Sequence, residues 1–162
     1  GKVKVERKPV DLNTVVSSAV EGGQAYGDKH NVSYRVNTPD EEMKALTDSA
    51  RVSQILANLI SNATKFTSSG DVVEINLKKI DQKVRIEVTD HGIGIPIDRQ
   101  NAIFTPFHQV NPGTTGTTQS SGLGLSITKQ LIYLLGGKIE FKSVEGKGST
   151  FWIEFDLLPE NS

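Results

Sequence analysis

Val84-Arg-Ile-Glu-Val-Thr-Asp90-His-Gly92-Ile-Gly94-Ile95-Pro96 decides how this chain is read. Val84, Ile86 and Val88 alternate with polar residues, the period of a half-buried strand. The same parity carries Asp90 to the inward side. A buried carboxylate is costly unless strong hydrogen bonds reach it, and an exocyclic amine such as that of adenine is a suitable donor. Gly92 and Gly94 remove side chains directly afterwards, so that a flat base can approach the backbone, and Pro96 stiffens the exit. An Asx-turn closing a strand has the same sequence, and Asp-x-Gly-x-Gly by itself is common in turns.

Upstream, Val73, Ile75 and Leu77 alternate in a second strand, joined to the first by a turn at Asp81-Gln82. Before it, a helix runs from an N-cap at Asp48 to Phe66 and is ended by Ser68-Ser-Gly70. At about 100° per residue, Val52, Leu56, Leu59, Ala63 and Phe66 gather on one side. Arg51, Asn58, Asn62 and Lys65 form a second stripe. Asparagine is a mediocre helix former, so two of them one turn apart before a lysine suggest a polar pocket. Amide oxygens suit a hard cation and lysine suits phosphate; an ordinary solvated face is the plainer alternative. Further back lie a helix from Leu12 to Lys29, weakened by Gly22-Gly23, a strand Asn31–Asn37, a turn Pro39–Glu42 and an edge strand Met43–Thr47.

Downstream, His91 to Ser121 is irregular, with a short helix near Ile97–Ile103. Gln100 to Thr128 holds no Asp, Glu, Lys or Arg, although the chain is 23% charged. Gly113 to Ser121 is all Gly, Thr, Ser and Gln, suited to a lid that orders over a ligand, or to a plain loop; Phe104, Pro106 and Phe107 would anchor its base. Gly122-Leu123-Gly124-Leu125 opens a helix that is apolar nearly all round and hence buried. Free N–H groups at such a helix head attract anions, though glycine also serves close helix packing. Gly136-Gly137 stop that helix, and a hairpin (Lys138–Ser143, Ser149–Leu158) closes the chain. The order predicts an α+β two-layer sandwich, a mostly antiparallel mixed sheet with helices on one face.

Composition sets limits. The 162 residues fit one domain. A net charge of −1 argues against a nucleic-acid or anionic-membrane surface. There is no cysteine, and His30, His91 and His108 are scattered, so a zinc site is not expected. No apolar run approaches the roughly 18–20 residues of a membrane span.

Taken together the motifs resemble one family. Asn58-Leu-Ile-Ser-Asn62-Ala-Thr-Lys65-Phe66 is similar to its N box and Asp90-His-Gly92-Ile-Gly94-Ile95-Pro96 to its G1 box. Phe104-Thr-Pro106-Phe107 resembles the F box, Gly122-Leu123-Gly124-Leu125 the G2 box, and Gly146-Lys-Gly148-Ser149-Thr-Phe151 the G3 motif. This is the catalytic ATP-binding domain of sensor histidine kinases, in the superfamily shared with DNA gyrase, heat-shock chaperone and mismatch-repair ATPases.

The resemblance implies a Bergerat-type fold enclosing ATP with Mg²⁺. Asp90 would hold the adenine amino group, with Gly92, Gly94, Ile95, Phe107 and Ser149 also around the nucleotide. Asn58 and Asn62 would face Mg²⁺ and the phosphates. Lys65 would bind a phosphate oxygen and, with Asn58, serve transfer. Gly122, Leu123, Gly124 and Leu125 would approach the phosphates. Residues 1–10 are expected to be a linker from an upstream dimerisation/phosphoacceptor domain, 11–159 the catalytic domain and 160–162 a tail.

The implied partners are that phosphoacceptor domain, carrying the receiving histidine, and a downstream response regulator or receiver domain. No nucleic acid and no direct membrane contact are expected; the domain is read as monomeric and cytoplasmic, whether or not its parent is membrane-anchored. Two departures stand out: the lid carries no arginine or lysine, and Asn111 stands where aspartate is common. A hydrolytic ATPase of the superfamily would place a glutamate one turn before the metal asparagine, where this chain has Asn58, an amide with no basic lone pair. A nucleotide-binding module without catalysis is the third alternative.

Overall fold

The computed structural model describes residues 4–105 and 116–159, and between 116 and 124 the backbone alone. The strands are β1 (Lys8–Asp11), β2 (Ser33–Asn37), β3 (Lys44–Thr47), β4 (Val72–Ile80), β5 (Lys83–Asp90), β6 (Lys138–Val144) and β7 (Gly148–Asp156). The helices are α1 (Leu12–Gly22), α2 (Gln24–His30), α3 (Ser49–Phe66), α4 (Ile97–Gln100) and α5 (Gly116–Leu134).

Five strands form one sheet in the order β2-β4-β5-β7-β6. Only β2 runs parallel to its neighbour β4; the other three pairings are antiparallel. This is the expected mixed sheet. Register follows the alternation: Leu77 faces Ile86, Ile86 faces Ile153, and Ile153 faces Ile139. All four are buried beneath the helices. The opposite face is polar, where Arg85 Nε donates to Glu154 Oε2 at 2.6 Å and its guanidinium lies 4.9 Å from the Trp152 ring.

Helix α3 lies at the centre of the helical layer, packed against α1, α2, α5 and the sheet. Asp48 caps it as expected, accepting from the N–H groups of Ala50 and Arg51. Val52, Ile55, Leu56, Leu59, Ile60 and Ala63 supply its buried face. At about 1.5–3 kcal/mol for each large apolar side chain, this face contributes much of the drive for folding.

Four sequence readings need correction. The helix expected over Leu12–Lys29 is two helices broken at Gly23, whose N–H bonds back to Ala19 and Val20 and ends the first. Lys8–Val10, read as part of a linker, belongs to β1, which pairs with β3 and buries Val10. Helix α5 starts at Gly116 and not at Gly122; no proline lies between the two to stop it, and a glycine inside a helix costs only about 1 kcal/mol. Nor is α5 buried all round. Leu125, Leu131 and Ile132 are in the core, but Ile127 and Tyr133 are exposed, because a helix covering one sheet face has only one side to bury.

Candidate functional site

Asp90 ends β5 opposite Ser149 of β7. It is 6% exposed, buried as parity required. Its Oδ1 accepts the N–H of Gly92 at 2.9 Å and that of Ser149 at 3.3 Å. The first of these is the Asx-turn, so the turn and the buried carboxylate coexist. Among the described residues nothing bonds Oδ2. Burial pushes the carboxyl above the ordinary carboxylate range, opposed by the two N–H groups and by His91.

The surrounding loops are held by backbone contact. A Cβ on Gly92 would lie 1.9 Å from the Phe66 carbonyl oxygen, at the end of α3. One on Gly94 (φ +71°) would lie 2.2 Å from the Val144 carbonyl oxygen, and one on Gly148 (φ +127°) 2.2 Å from that of Asp90. Gly92 and Gly94 were expected to leave room for a flat base; in the structure they and Gly148 also let the end of α3, the loop after Asp90 and the β6–β7 hairpin stack backbone to backbone. The Thr67 hydroxyl accepts the His91 N–H at 3.4 Å. Ser143 Oγ lies 2.8 Å from Ser149 Oγ and accepts the Ile95 N–H at 2.8 Å. The end of α3, the loop after Asp90 and the β6–β7 hairpin are thereby clasped together.

The polar stripe of α3 runs beside this clasp. Asn58, Asn62 and Lys65 are all half-buried, more than a solvated face requires. Asn58 Nδ2 donates to Thr128 Oγ1 of α5 at 2.7 Å. Asn62 Nδ2 is buried with no hydrogen-bond partner among the described residues. Lys65 Nζ lies 5.7 Å from the centre of the Phe66 ring. An unfilled buried donor is rare in a native fold and calls for an acceptor; a phosphate oxygen would satisfy it.

Mg²⁺ can be tested against this set. Among the described residues no group of three or more His, Asp or Glu could cage a metal ion. Two amides without a carboxylate suit a Mg²⁺ that arrives on phosphate oxygens and keeps several waters. The residues fit the ion in that role.

The structure thus brings Asp90, Gly92, Gly94, Ile95 and Ser149 together at the sheet end, and Asn58, Asn62 and Lys65 along α3. Gly122 and Gly124 lie inside α5, not at its head, and the Leu125 side chain turns into the core. Pro106, Phe107, Asn111 and the first part of the lid lie outside the described residues; Gly116–Ser121 belong to α5. Phe104 does pack as an anchor, edge-on to Phe141 and Phe151. Sequence reasoning missed Thr128, Ser143 and Thr67. The first was legible as a hydroxyl three residues after Leu125 on the apolar side of its helix, and the second as a residue facing Ser149 across a short hairpin.

A buried strand-end carboxylate held near the end of α3, and a half-buried stripe of amides and a lysine along that helix, are the polar features of this two-layer α+β domain. Residues 47–159 match the family described as histidine kinase-, DNA gyrase B- and HSP90-like ATPase, and the chain belongs to that family. Histidine protein kinase 1 of Candida albicans is 36% identical over 159 residues, 94% of this chain and 6% of that protein. The catalytic domain of histidine kinase ThkA is 30% identical with a TM-score of 0.81, covering 95% of this chain and 99% of that one. ThkA has also been solved in complex with the response regulator TrrA, at 27% identity and a TM-score of 0.78 over 98% of this chain and 44% of that one. Full-length ShkA, solved with AMPPNP, is 28% identical with a TM-score of 0.81 over 97% of this chain and 32% of that one. The chain therefore spans a small part of its full-length relatives.

Proposed function

We propose that this chain binds ATP with Mg²⁺ and passes the γ-phosphate to a histidine on a separate dimerisation domain, as the catalytic domain of a two-component sensor kinase. The observation that carries the reading is Asp90: a buried carboxylate whose two hydrogen bonds among the described residues both fall on Oδ1. Adenine's amino group is a donor of the right kind for Oδ2. Gly92, Gly94, Ile95, Phe107 and Ser149 would surround the base; Asn58, Asn62, Lys65 and the Gly122–Leu125 segment would serve the phosphates.

Asn58 supports transfer over hydrolysis. Its amide nitrogen donates to Thr128, and an amide has no basic site to take a proton from water. On this reading a downstream response regulator or receiver domain takes the phosphate onward, and the domain works monomeric in the cytoplasm. No helix among the described residues is long and apolar enough to cross a membrane.

Labelled ATP tests the reading. Alone, the chain is expected to bind ATP in preference to GTP and to label itself negligibly. His30 bonds the Tyr26 carbonyl and His91 pairs with Glu74, so neither of these two is placed as an acceptor. With a dimerisation domain supplied, an acid-labile, base-stable phosphohistidine is expected there. Fast hydrolysis by the chain alone, lost in Asn62→Ala, would overturn transfer in favour of an ATPase.

A further inference from the structure

Thr128 stands out among the buried groups that the proposed function does not use. It is 4% exposed, on the face of α5 that also buries Leu125, Leu131 and Ile132. Valine would fill the same space without bringing a hydroxyl into an apolar layer. The hydroxyl instead meets the amide nitrogen of Asn58 at 2.7 Å, joining residues 70 apart in sequence and linking α3 to α5.

An asparagine amide has two unlike ends on one planar group. If it turned about its terminal torsion, it would present NH₂ and carbonyl oxygen alternately to whatever lies across from it. NH₂ repels a cation; the oxygen attracts one. A threonine hydroxyl can accept from Nδ2 or donate to Oδ1; in the structure it accepts from Nδ2, leaving Oδ1 as the end directed away from Thr128. Asn58 precedes Asn62 by one helical turn on the same stripe, so this choice bears on the phosphate end of the site.

We propose that Thr128 is a positioning residue for Asn58, fixing its amide so that the carbonyl oxygen serves the Mg²⁺–phosphate group. The proposal rests on the ATP reading above. Thr128 would touch neither nucleotide nor metal; it acts by holding the amide in the orientation seen here, with Nδ2 on its hydroxyl.

The test compares the unsubstituted chain with Thr128→Val and Thr128→Ser. Calorimetry with a non-hydrolysable ATP analogue is run in EDTA and again with Mg²⁺, and ¹⁵N spectra follow the Asn58 side-chain NH₂ pair. In Thr128→Val the metal-free affinity is expected within about twofold of the parent, while the gain on adding Mg²⁺ falls on the order of tenfold, the scale of one lost hydrogen bond. The Asn58 NH₂ resonances should move and exchange faster with solvent. Thr128→Ser, which keeps the hydroxyl, should restore both. An undiminished Mg²⁺ gain in Thr128→Val overturns the positioning role alone. An equal loss with and without Mg²⁺ also overturns it, since that marks a packing defect. Failure of the unsubstituted chain to bind the analogue at all would overturn the ATP reading, and this proposal with it.

Discussion

Asp90 sets a conflict between stability and binding at a single carboxyl. Burial raises its folded pKa above the ordinary 3.8. A group raised in this way favours the folded state below its unfolded pKa, and that contribution is lost as pH rises through the folded value. In the nucleotide-free chain, Asp90 therefore weakens the fold on going from acid to neutral pH. Asp90→Asn removes that component, and urea unfolding of the variant should fall off less between acid and neutral pH. Binding moves the other way. The amino group needs the ionised acceptor, so ATP affinity should drop as pH falls through the raised pKa. At neutral pH Asp90→Asn should cost about 1.5–3 kcal/mol of ATP binding, roughly 10- to 160-fold, read by calorimetry. A variant that binds ATP as the parent does would remove Asp90 from the adenine site.

Helix α3 shows what sequence periodicity reveals and what it hides. Its limits, cap and apolar face were legible because each depends on residues a few positions apart: Asp48 bonds Ala50 and Arg51, and Val52, Leu56 and Leu59 follow the helical repeat. The alternating strands, the register of Asp90 and the half-buried asparagines were legible for the same reason. The strand β1 and the Asn58–Thr128 bond were not, since each depends on a partner far along the chain; at Gly23 the glycine pair signalled a weak helix but not a full break. The close approach at Gly92, Gly94 and Gly148 was not legible either, because their neighbours are backbone atoms of distant segments. Asp48 illustrates both kinds of bond. It caps α3 locally and also accepts the Glu6 N–H at 3.0 Å, which ahead of the local bonds holds its carboxyl below the ordinary range. Asp48→Ala should lower unfolding stability by about 1 kcal/mol, within the usual 0.5–2 for a lost N-cap. ATP-over-GTP selectivity should stay unchanged, because Asp48 stands at the far end of α3 from Lys65.

At the scale of the molecule, the first described residues behave as part of the fold. Glu6 bonds the cap of α3, Arg7 donates to the Leu134 carbonyl at the end of α5, and Arg51 reaches the Lys4 carbonyl. β1 then buries Val10, and Asp11 caps α1. A chain beginning at Leu12 should lose about 3 kcal/mol, from one buried valine and one helix cap together, measured by urea denaturation. Unchanged stability would return those residues to the status of a linker.

The stacked backbones at Gly92, Gly94 and Gly148 have a consequence for heredity. Every missense change that one base can make in a glycine codon installs a Cβ, and at these positions a Cβ would fall within 2.2 Å of a carbonyl oxygen. No gentle first step is open at any of the three. A lineage carrying this domain can rewrite its lid, its outer sheet face or its helix surfaces by small increments. The clasp around Asp90 can only be kept whole or given up.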